Sequence, residues 1–145
     1  MRILLLPDIN YWVMSFDFGV TRIGVAIANT ALRIPHPLGI IAGRNKFEKL
    51  DKIANLVAEW RPRHLVVGMP GDGVVKEKLH LEVVRFANRL THRFKLPHSF
   101  INEEYSSHIA GNQLQQQQVM GIKQRGKLDA LAAGVILERY FMGLT

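Results

Sequence analysis

The residues His64–Met69, HLVVGM, form a continuous apolar run between two segments with helical spacing. On one side, apolar residues recur at helical spacing from Phe47 to Trp60, and Arg61-Pro62 ends that pattern. On the other side, the same spacing returns from Leu79 to Leu90. A short apolar strand without polar alternation is typical of a parallel sheet that is covered on both faces. This run therefore favours an α/β fold built from βαβ units.

The remaining elements extend this pattern along the chain. Further β-type runs cover residues 11–17, 22–29, 37–42 and 98–102, and the short glycine-containing connection after the first of them predicts a hairpin. Two more helices are predicted, over residues 106–118 and 128–141. The order βββαβαβαα implies a mixed five-stranded sheet with helices on both faces. The functional crevice of such a sheet lies at the carboxyl ends of its central strands.

Composition narrows the class of protein. The 145 residues, 48% of them apolar, predict one globular domain over residues 1–145. The apolar runs are too short to span a bilayer and cysteine is absent, so we expect a cytoplasmic protein without disulfides or membrane contact. The 19 Lys and Arg against 12 Asp and Glu give a net charge of +7, which favours a polyanionic partner. An ordinary basic surface is the alternative explanation.

Three acidic positions differ from the acidic residues on the polar helix faces. Asp17 ends an otherwise apolar strand, where an unpaired carboxylate would cost desolvation free energy. Glu103 follows the fifth strand, and Asp129 lies in the first turn of the last predicted helix. Each also has a structural explanation. Asp17 could pair with Arg22. Either Glu103 or Glu104 could cap the helix that follows. Asp129, as an acid in a first helical turn, would complement the helix dipole.

Together, the three positions predict a metal site. If the first and fifth strands point their carboxyl ends at one crevice, Asp17 and Glu103 converge there, and Asp129 can reach it from the last helix. Converging carboxylates need a cation, and oxygen ligands suit Mg²⁺ or Mn²⁺. A pair of such ions binds a phosphate, activates a water and stabilises the leaving oxygen, as a nuclease requires.

Basic residues near these acids could bind a nucleic-acid backbone. The candidates are Arg22, Lys123, Arg125 and Lys127. The last three precede the predicted final helix in a glycine-containing segment. A solvated basic loop explains those three equally well, and neutralisation of Asp17 explains Arg22.

Five segments, taken in chain order, carry a resemblance to a known family. They are Phe16-Asp17-Phe18-Gly19-x-x-Arg22-Ile23-Gly24-Val25-Ala26, Val66-Val67-Gly68-Met69-Pro70, Arg85-Phe86-Ala87-Asn88-Arg89-Leu90, Asn102-Glu103-Glu104-Tyr105-Ser106-Ser107 and Lys127-Leu128-Asp129-Ala130-x-Ala132-Ala133-x-x-Ile136-Leu137. They resemble the motifs of the YqgF/RuvX family of RNase H-like proteins from about Tyr11 onward. The resemblance leaves residues 1–10 without a counterpart, as an N-terminal extension. Two positions depart from the family pattern: Asn102 stands for an Asp, and Glu104 stands for an Arg.

The resemblance implies an RNase H-like fold with strand order 3-2-1-4-5. It also implies a metal-dependent nuclease, using Mg²⁺ or Mn²⁺, that matures the 5′ end of precursor 16S rRNA. Carried over position by position, the catalytic and metal-binding acids would be Asp17, Glu103 and Asp129. The chain would act on nucleic acid as a monomer or weak homodimer.

Three alternatives remain open from the sequence. The family is also described as a Holliday-junction resolvase, which makes branched DNA an alternative substrate. If the changes at Asn102 and Glu104 disable the site, the chain would be a non-catalytic RNA-binding factor. Asp17, Gly19 and Thr21 also fit a phosphate loop of actin-like ATPases, but those proteins clamp a nucleotide between two lobes, and 145 residues supply one.

Overall fold

The computed structural model describes residues 10–71, 77–102 and 125–144, with the side chains of the last range described from Ala130 onward. The elements are, in chain order, β1 (Trp12–Phe18), β2 (Arg22–Asn29), β3 (His36–Ala42), α1 (Lys46–Trp60), β4 (His64–Met69), α2 (Glu77–Phe94), β5 (His98–Asn102) and α3 (Arg125–Met142). All five predicted strands are confirmed to within one residue at either end. The predicted helix over residues 106–118 and the first nine residues lie outside the described ranges. Within these ranges, every helix falls short of the length and apolar character that a bilayer crossing demands.

The five strands form one mixed sheet in the predicted order, β3-β2-β1-β4-β5. β2 runs antiparallel to β1 and β3, whereas β1, β4 and β5 run parallel. The first connection is a tight turn, which reverses the chain, while the helices α1 and α2 return it to the start of the next parallel strand. The carboxyl ends of β1, β4 and β5 therefore lie at one side of the sheet, called here the carboxyl edge.

Gly19 permits the turn between β1 and β2. A Cβ at this position would lie 2.6 Å from the carbonyl oxygen of Arg22, closer than real Cβ atoms come to backbone. Only glycine fits there without a shift of the hairpin. The predicted hairpin is confirmed, and its turn lies at the carboxyl edge directly after Asp17 and Phe18.

Alternating strand side chains supply two apolar cores, one on each face of the sheet. On the α1/α2 face, Met14 and Phe16 are fully buried, and Phe16 packs edge-to-face on Phe86 with ring centroids 5.6 Å apart. On the α3 face, Val13 packs in a separate cluster with Ile136 of α3. The predicted arrangement of helices on both faces is confirmed.

The start and end of α1 follow signals in the sequence. The Oδ1 atom of Asn45 accepts the backbone N–H of Glu48 at 2.9 Å and so caps the N-terminus. Arg61 adopts a left-handed conformation with φ of 49°, donates its N–H to the Val57 carbonyl at 2.8 Å, and is followed by Pro62. The stop predicted at Arg61-Pro62 is confirmed.

Candidate active site

Asp17 is the penultimate residue of β1 and is half-buried at the carboxyl edge. Two residues earlier Ser15 contacts α3, and four residues earlier Val13 packs in the core beneath α3. Strand alternation therefore places Asp17 on the α3 face as well.

Ser15 joins β1 to α3 beneath Asp17. Its side chain is 0% exposed, and its hydroxyl donates a hydrogen bond to the Ala133 carbonyl oxygen at 2.6 Å. In a regular helix that carbonyl also accepts the N–H of Leu137, so the serine adds a bond to one already present. A buried hydroxyl without a partner would cost free energy, and this contact fixes the strand and the helix relative to each other.

Two contacts establish the direction of α3 along β1. Tyr140, near the end of α3, stacks on His64 with ring centroids 5.4 Å apart, and His64 is registered beside Val13. Ala133, earlier in the helix, contacts Ser15, which lies later in the strand. The helix and the strand therefore run antiparallel, and the N-terminal end of α3 lies toward the carboxyl edge.

This direction brings position 129 to the level of Asp17. Asp129 lies four residues before Ala133 in α3, a rise of about 6 Å at about 1.5 Å per residue. Asp17 lies two residues after Ser15 in β1, a rise of about 7 Å at about 3.3 Å per residue. Measured from the Ser15–Ala133 contact, the two backbones reach the same level of the α3 face. The Asp129 side chain is outside the described part of the chain.

Asp17 has a glycine on each side across the sheet. Its registered partner in β2 is Gly24. In β4, the buried Gly68 lies one step beyond the pair formed by Phe16 and Val67. Because glycine has no side chain, neither neighbouring strand places one beside the Asp17 carboxylate. The sequence alone does not single out Gly68, whose one signal is a glycine inside a continuous apolar strand.

The fifth strand leads toward the same face. Ile101 of β5 is registered with Gly68 and packs against the core beneath α3. Glu103 follows Ile101 by two residues and lies outside the described residues. Ile101 is thus the last described residue of β5 on the α3 face, two positions before Glu103.

The departure from the family pattern at Asn102 falls on the other face. Asn102 is registered with Met69, which packs with the core on the α1/α2 face. Strand alternation therefore separates Asn102 from Asp17 by the thickness of the sheet. Glu104, the second departure, lies outside the described residues.

The beginning of α3 differs from the prediction. The helix starts at Arg125, three residues before the predicted start at Leu128, because its polar first turn carries no apolar periodicity. Asp129 is consequently its fifth residue, and the expectation that it lies in the first turn is wrong. The helix-dipole explanation for Asp129 is lost, because that effect falls off within the first turn. Arg125 and Lys127 belong to this first turn rather than to a preceding loop, and Lys123 lies outside the described residues.

Arg22 is the first residue of β2 and is half-buried. Ala26 and Ala28 of the same strand pack beneath α3, so alternation places Arg22 on the α3 face. The residue opposite Asp17 is Gly24, so Arg22 lies diagonally from Asp17 and closer to the turn. A phosphate contact and a pairing with Asp17 both stay predictions for this residue.

Among the described residues, no three His, Cys, Asp or Glu side chains meet in one group. Two of the predicted ligands, Glu103 and Asp129, have side chains outside those residues. The predicted three-carboxylate metal site therefore stays a prediction.

At the opposite edge of the sheet, His64 packs α3 against β4 and β5. Its Nε2 atom lies 2.8 Å from the Ser99 hydroxyl oxygen, and its ring stacks on Tyr140. Burial lowers the pKa of His64, and the nearby charge of His98 lowers it further. His64 is thus held in its neutral form as part of the core packing.

Comparison with known sequences identifies the family. The RuvX family model, described as "Holliday junction resolvase", matches residues 11–143. Two relatives carry the name "Putative pre-16S rRNA nuclease". One, from Neisseria meningitidis serogroup C, is 44% identical over 132 residues, which is 90% of this chain and 87% of the relative. The other, from Chromobacterium violaceum, is 47% identical over 131 residues, which is 88% of this chain and 95% of the relative.

Solved structures share the fold at low sequence identity. T. thermophilus RuvC, in complex with a Holliday junction substrate, aligns with a TM-score of 0.59 and 15% identity, covering 92% of this chain and 95% of that chain. Fowlpox virus resolvase, in complex with Holliday junction DNA, aligns with a TM-score of 0.56 and 10% identity, covering 92% and 98% of the respective chains. These likenesses confirm the predicted RNase H-like fold. The motif order and the family match over residues 11–143 together show that this chain belongs to the RuvX family.

Proposed function

We propose that this protein is a metal-dependent nuclease that hydrolyses phosphodiester bonds in maturing the 5′ end of precursor 16S rRNA. The observation that carries this proposal is the Ser15–Ala133 contact, from which the backbones of positions 17 and 129 reach the same level of the α3 face. The names of the relatives point to the RNA substrate. The net charge of +7 suits a polyanion of either kind.

The acids Asp17, Glu103 and Asp129 would hold Mg²⁺ or Mn²⁺, as catalytic and metal-binding residues. Their donors are carboxylate oxygens, which these hard cations prefer. Because glycines lie on both sides of Asp17, neither β2 nor β4 places a side chain beside the carboxylate that would bind the cation. A pair of divalent ions at such a site supplies Lewis-acid stabilisation and lowers the pKa of bound water.

The protein's own residues bind and orient the substrate. Arg22 lies on the α3 face near the turn, where its guanidinium can contact a phosphate that reaches the Asp17 carboxylate. Arg125 and Lys127 stand in the first turn of α3, whose backbone N–H groups favour an anion. Lys123, just before this turn in sequence, would extend the same phosphate contact.

Branched DNA is the second candidate substrate, and the description of the family model favours it. A junction has two-fold symmetry, so paired cleavage would require a homodimer that presents two sites. We take the active protein to be a single cytoplasmic domain over residues 1–145, acting as a monomer or weak homodimer. A monomer that cleaves RNA but leaves junctions intact fits the first candidate.

The test is a cleavage assay on a 5′-extended 16S precursor and on a four-way DNA junction, each with Mg²⁺, Mn²⁺ or EDTA. Asp17→Asn keeps the side-chain shape and removes the charge, so we expect it to abolish metal-dependent cleavage. Glu59→Gln is the matched control, because Glu59 is an exposed carboxylate near the end of α1, away from the carboxyl edge.

Each outcome distinguishes the hypotheses. Cleavage of the precursor that needs metal and Asp17, but not Glu59, supports the proposal. Cleavage of the junction alone would move the substrate to branched DNA. Tight RNA binding without cleavage under any metal condition would favour a non-catalytic RNA-binding factor. Unchanged cleavage by Asp17→Asn would overturn the site assignment.

A further inference from the structure

A second concave surface lies on the α1/α2 face, opposite the site of Asp17. It is a cavity of about 530 Å³ between the start of α1, the turn after β1 and one side of α2. Its apolar floor includes Phe18, Leu50 and Phe86. We call it the basic groove, and define it by the residues along its rim: Arg44, Lys46, Phe47, Lys49, Arg85 and Arg89.

The basic groove carries a clear excess of positive charge. Five cations line it, against one acid, Glu82. A neighbouring cavity shares Lys46, Phe47 and Arg89 and continues the surface to Lys95, past Arg93, which pairs with Asp51 at 2.9 Å. The cations are therefore spread along an extended surface, which suits the backbone of an extended polyanion.

The acids near the groove neutralise only part of this charge. Arg85 contacts Glu82 at 3.6 Å and Arg44 contacts Glu48 at 3.4 Å, and both pairs are largely exposed. Exposed pairs of this kind are weak and exchange readily for a phosphate. Among the residues that the structure describes, no acid lies within ion-pair distance of Lys46, Lys49 or Arg89.

An exposed aromatic ring stands among these cations. Phe47 is 66% exposed at the second position of α1, and the Lys46 ammonium lies 5.4 Å from its ring centroid. Aromatic rings interleaved with cations are the usual platform on which unpaired bases stack while phosphates are held. Paired bases are already stacked in a duplex and offer no free face to such a ring.

The groove is connected to the site across the carboxyl edge. Asp17 and Phe18 are consecutive in β1, and strand alternation places Asp17 on the α3 face and Phe18 in the floor of the groove. A strand whose scissile phosphate lies at Asp17 can therefore pass the exposed turn residue Val20 and enter the groove.

We infer that the basic groove binds the single-stranded RNA next to the scissile phosphate, with a base stacked on Phe47 and the phosphates on Lys46 and Arg89. This inference rests on the proposed nuclease function. It adds a substrate class, because it requires an unpaired flank on one side of the cleaved bond. Such a groove would select precursors with a single-stranded extension over closed duplexes.

The test measures binding by the full-length protein in EDTA, where cleavage is absent. Fluorescence anisotropy with a labelled oligouridylate is compared with a labelled RNA duplex of the same length over a range of salt concentrations. For the variant Lys46→Gln/Arg89→Gln, we expect the plot of log binding constant against log salt concentration to be less steep for oligouridylate. The slope should fall by about 1.4, because each of the two lost phosphate contacts contributes about 0.7. Phe47→Ser should weaken oligouridylate binding about tenfold, within the range of one lost base stack.

A matched control separates the groove from the general charge. Arg61→Gln removes one cation at the opposite end of α1. At each salt concentration, its dissociation constant for oligouridylate should stay within about twofold of that of the parent protein. Melting curves of all variants establish that each is folded.

The outcomes separate this inference from the proposed function. Loss of oligouridylate binding in the groove variants, with Arg61→Gln unaffected, supports the groove even if no cleavage is found. Equal binding by the groove variants and the parent overturns the groove, even if cleavage depends on Asp17. Displacement of oligouridylate by polyglutamate, at equal concentrations of negative charge, would also overturn the inference. The groove would then be a binding site for acidic proteins.

Discussion

Replacement of Ser15 by alanine tests how the active site is held together. The hydroxyl of Ser15 is buried and donates to the Ala133 carbonyl at 2.6 Å, which joins residues 118 apart in the chain. From this point, the backbones of Asp17 and Asp129 both extend about 6–7 Å to the carboxyl edge. Ser15→Ala removes the contact and leaves a buried methyl group in its place.

The loss of stability should be small. A net hydrogen bond contributes about 0.5–1.5 kcal/mol, and the Ala133 carbonyl keeps its bond within the helix, so no buried acceptor is left without a partner. For a chain of 145 residues, we expect the melting temperature to fall by about 2–4 °C. Urea unfolding should give the same change in free energy, with an unchanged dependence on urea concentration.

The loss of function should exceed the loss of stability. Without the contact, α3 is free to shift on β1, and a shift of about 1 Å at a catalytic site is enough to cost about a hundredfold in rate. We expect Ser15→Ala to weaken Mn²⁺ binding, measured by calorimetry, and to lower the cleavage rate on precursor RNA. Ile27→Val is the matched control: it removes one buried methyl on the α1/α2 face, at a cost of about 0.5–1.5 kcal/mol.

Two results would refute this reasoning. If Ser15→Ala and Ile27→Val lose the same stability and the same activity, the contact has no positioning role. If Ser15→Ala retains the parent affinity for Mn²⁺, then the spacing of positions 17 and 129 does not depend on Ser15. If the cleavage rate falls while Mn²⁺ affinity is unchanged, the Ser15 contact acts on the positioning of the substrate instead.

Two further predictions concern His64 and Gly68. Burial holds the pKa of His64 below its usual 6.5. Below pH 6.5, the unfolded chain therefore takes up a proton that the folded protein resists. The free energy of unfolding falls as the pH drops toward the lowered pKa. His64→Gln should therefore show a shallower loss of unfolding free energy below pH 6.5, measured by urea titration at each pH, and an unchanged slope would contradict the assignment. Gly68→Ala should lower Mn²⁺ affinity and cleavage, because it adds a methyl group to β4 beside Asp17 on the α3 face. Melting curves establish that the variant is folded, and unaltered metal binding would show that a glycine is not needed at this position.

Much of the fold follows from local signals. The apolar run His64–Met69 is a strand buried on both faces, and Asn45 and Pro62 mark the two ends of α1. The start of α3 is less predictable, because its first turn is polar and apolar periodicity begins only at Leu128. A helix boundary with no apolar face to bury leaves no periodic trace in the sequence.

The candidate site is predictable only where it interrupts a local pattern. Asp17 stands out because a carboxylate in an apolar strand demands an explanation. Ser15 gives no such signal, since serine is ordinary in a strand and its partner, Ala133, is remote in sequence. The role of Gly68 depends on the register between β1 and β4, which is set by the tertiary structure. The face of Asn102 likewise becomes known only from its pairing with Met69.

The position of α3 in the chain has a consequence for synthesis. All five strands precede it, and the apolar residues of the sheet that it covers, among them Val13, Ala28 and Val66, have no cover from α1 or α2. During translation these residues lack the cover of α3 until the residues after 125 have left the ribosome, and uncovered apolar surface of this kind is recognised by chaperones. The same delay keeps positions 17 and 129 apart in the nascent chain. Docking of α3 therefore buries these residues and brings positions 17 and 129 to the same level in one late step.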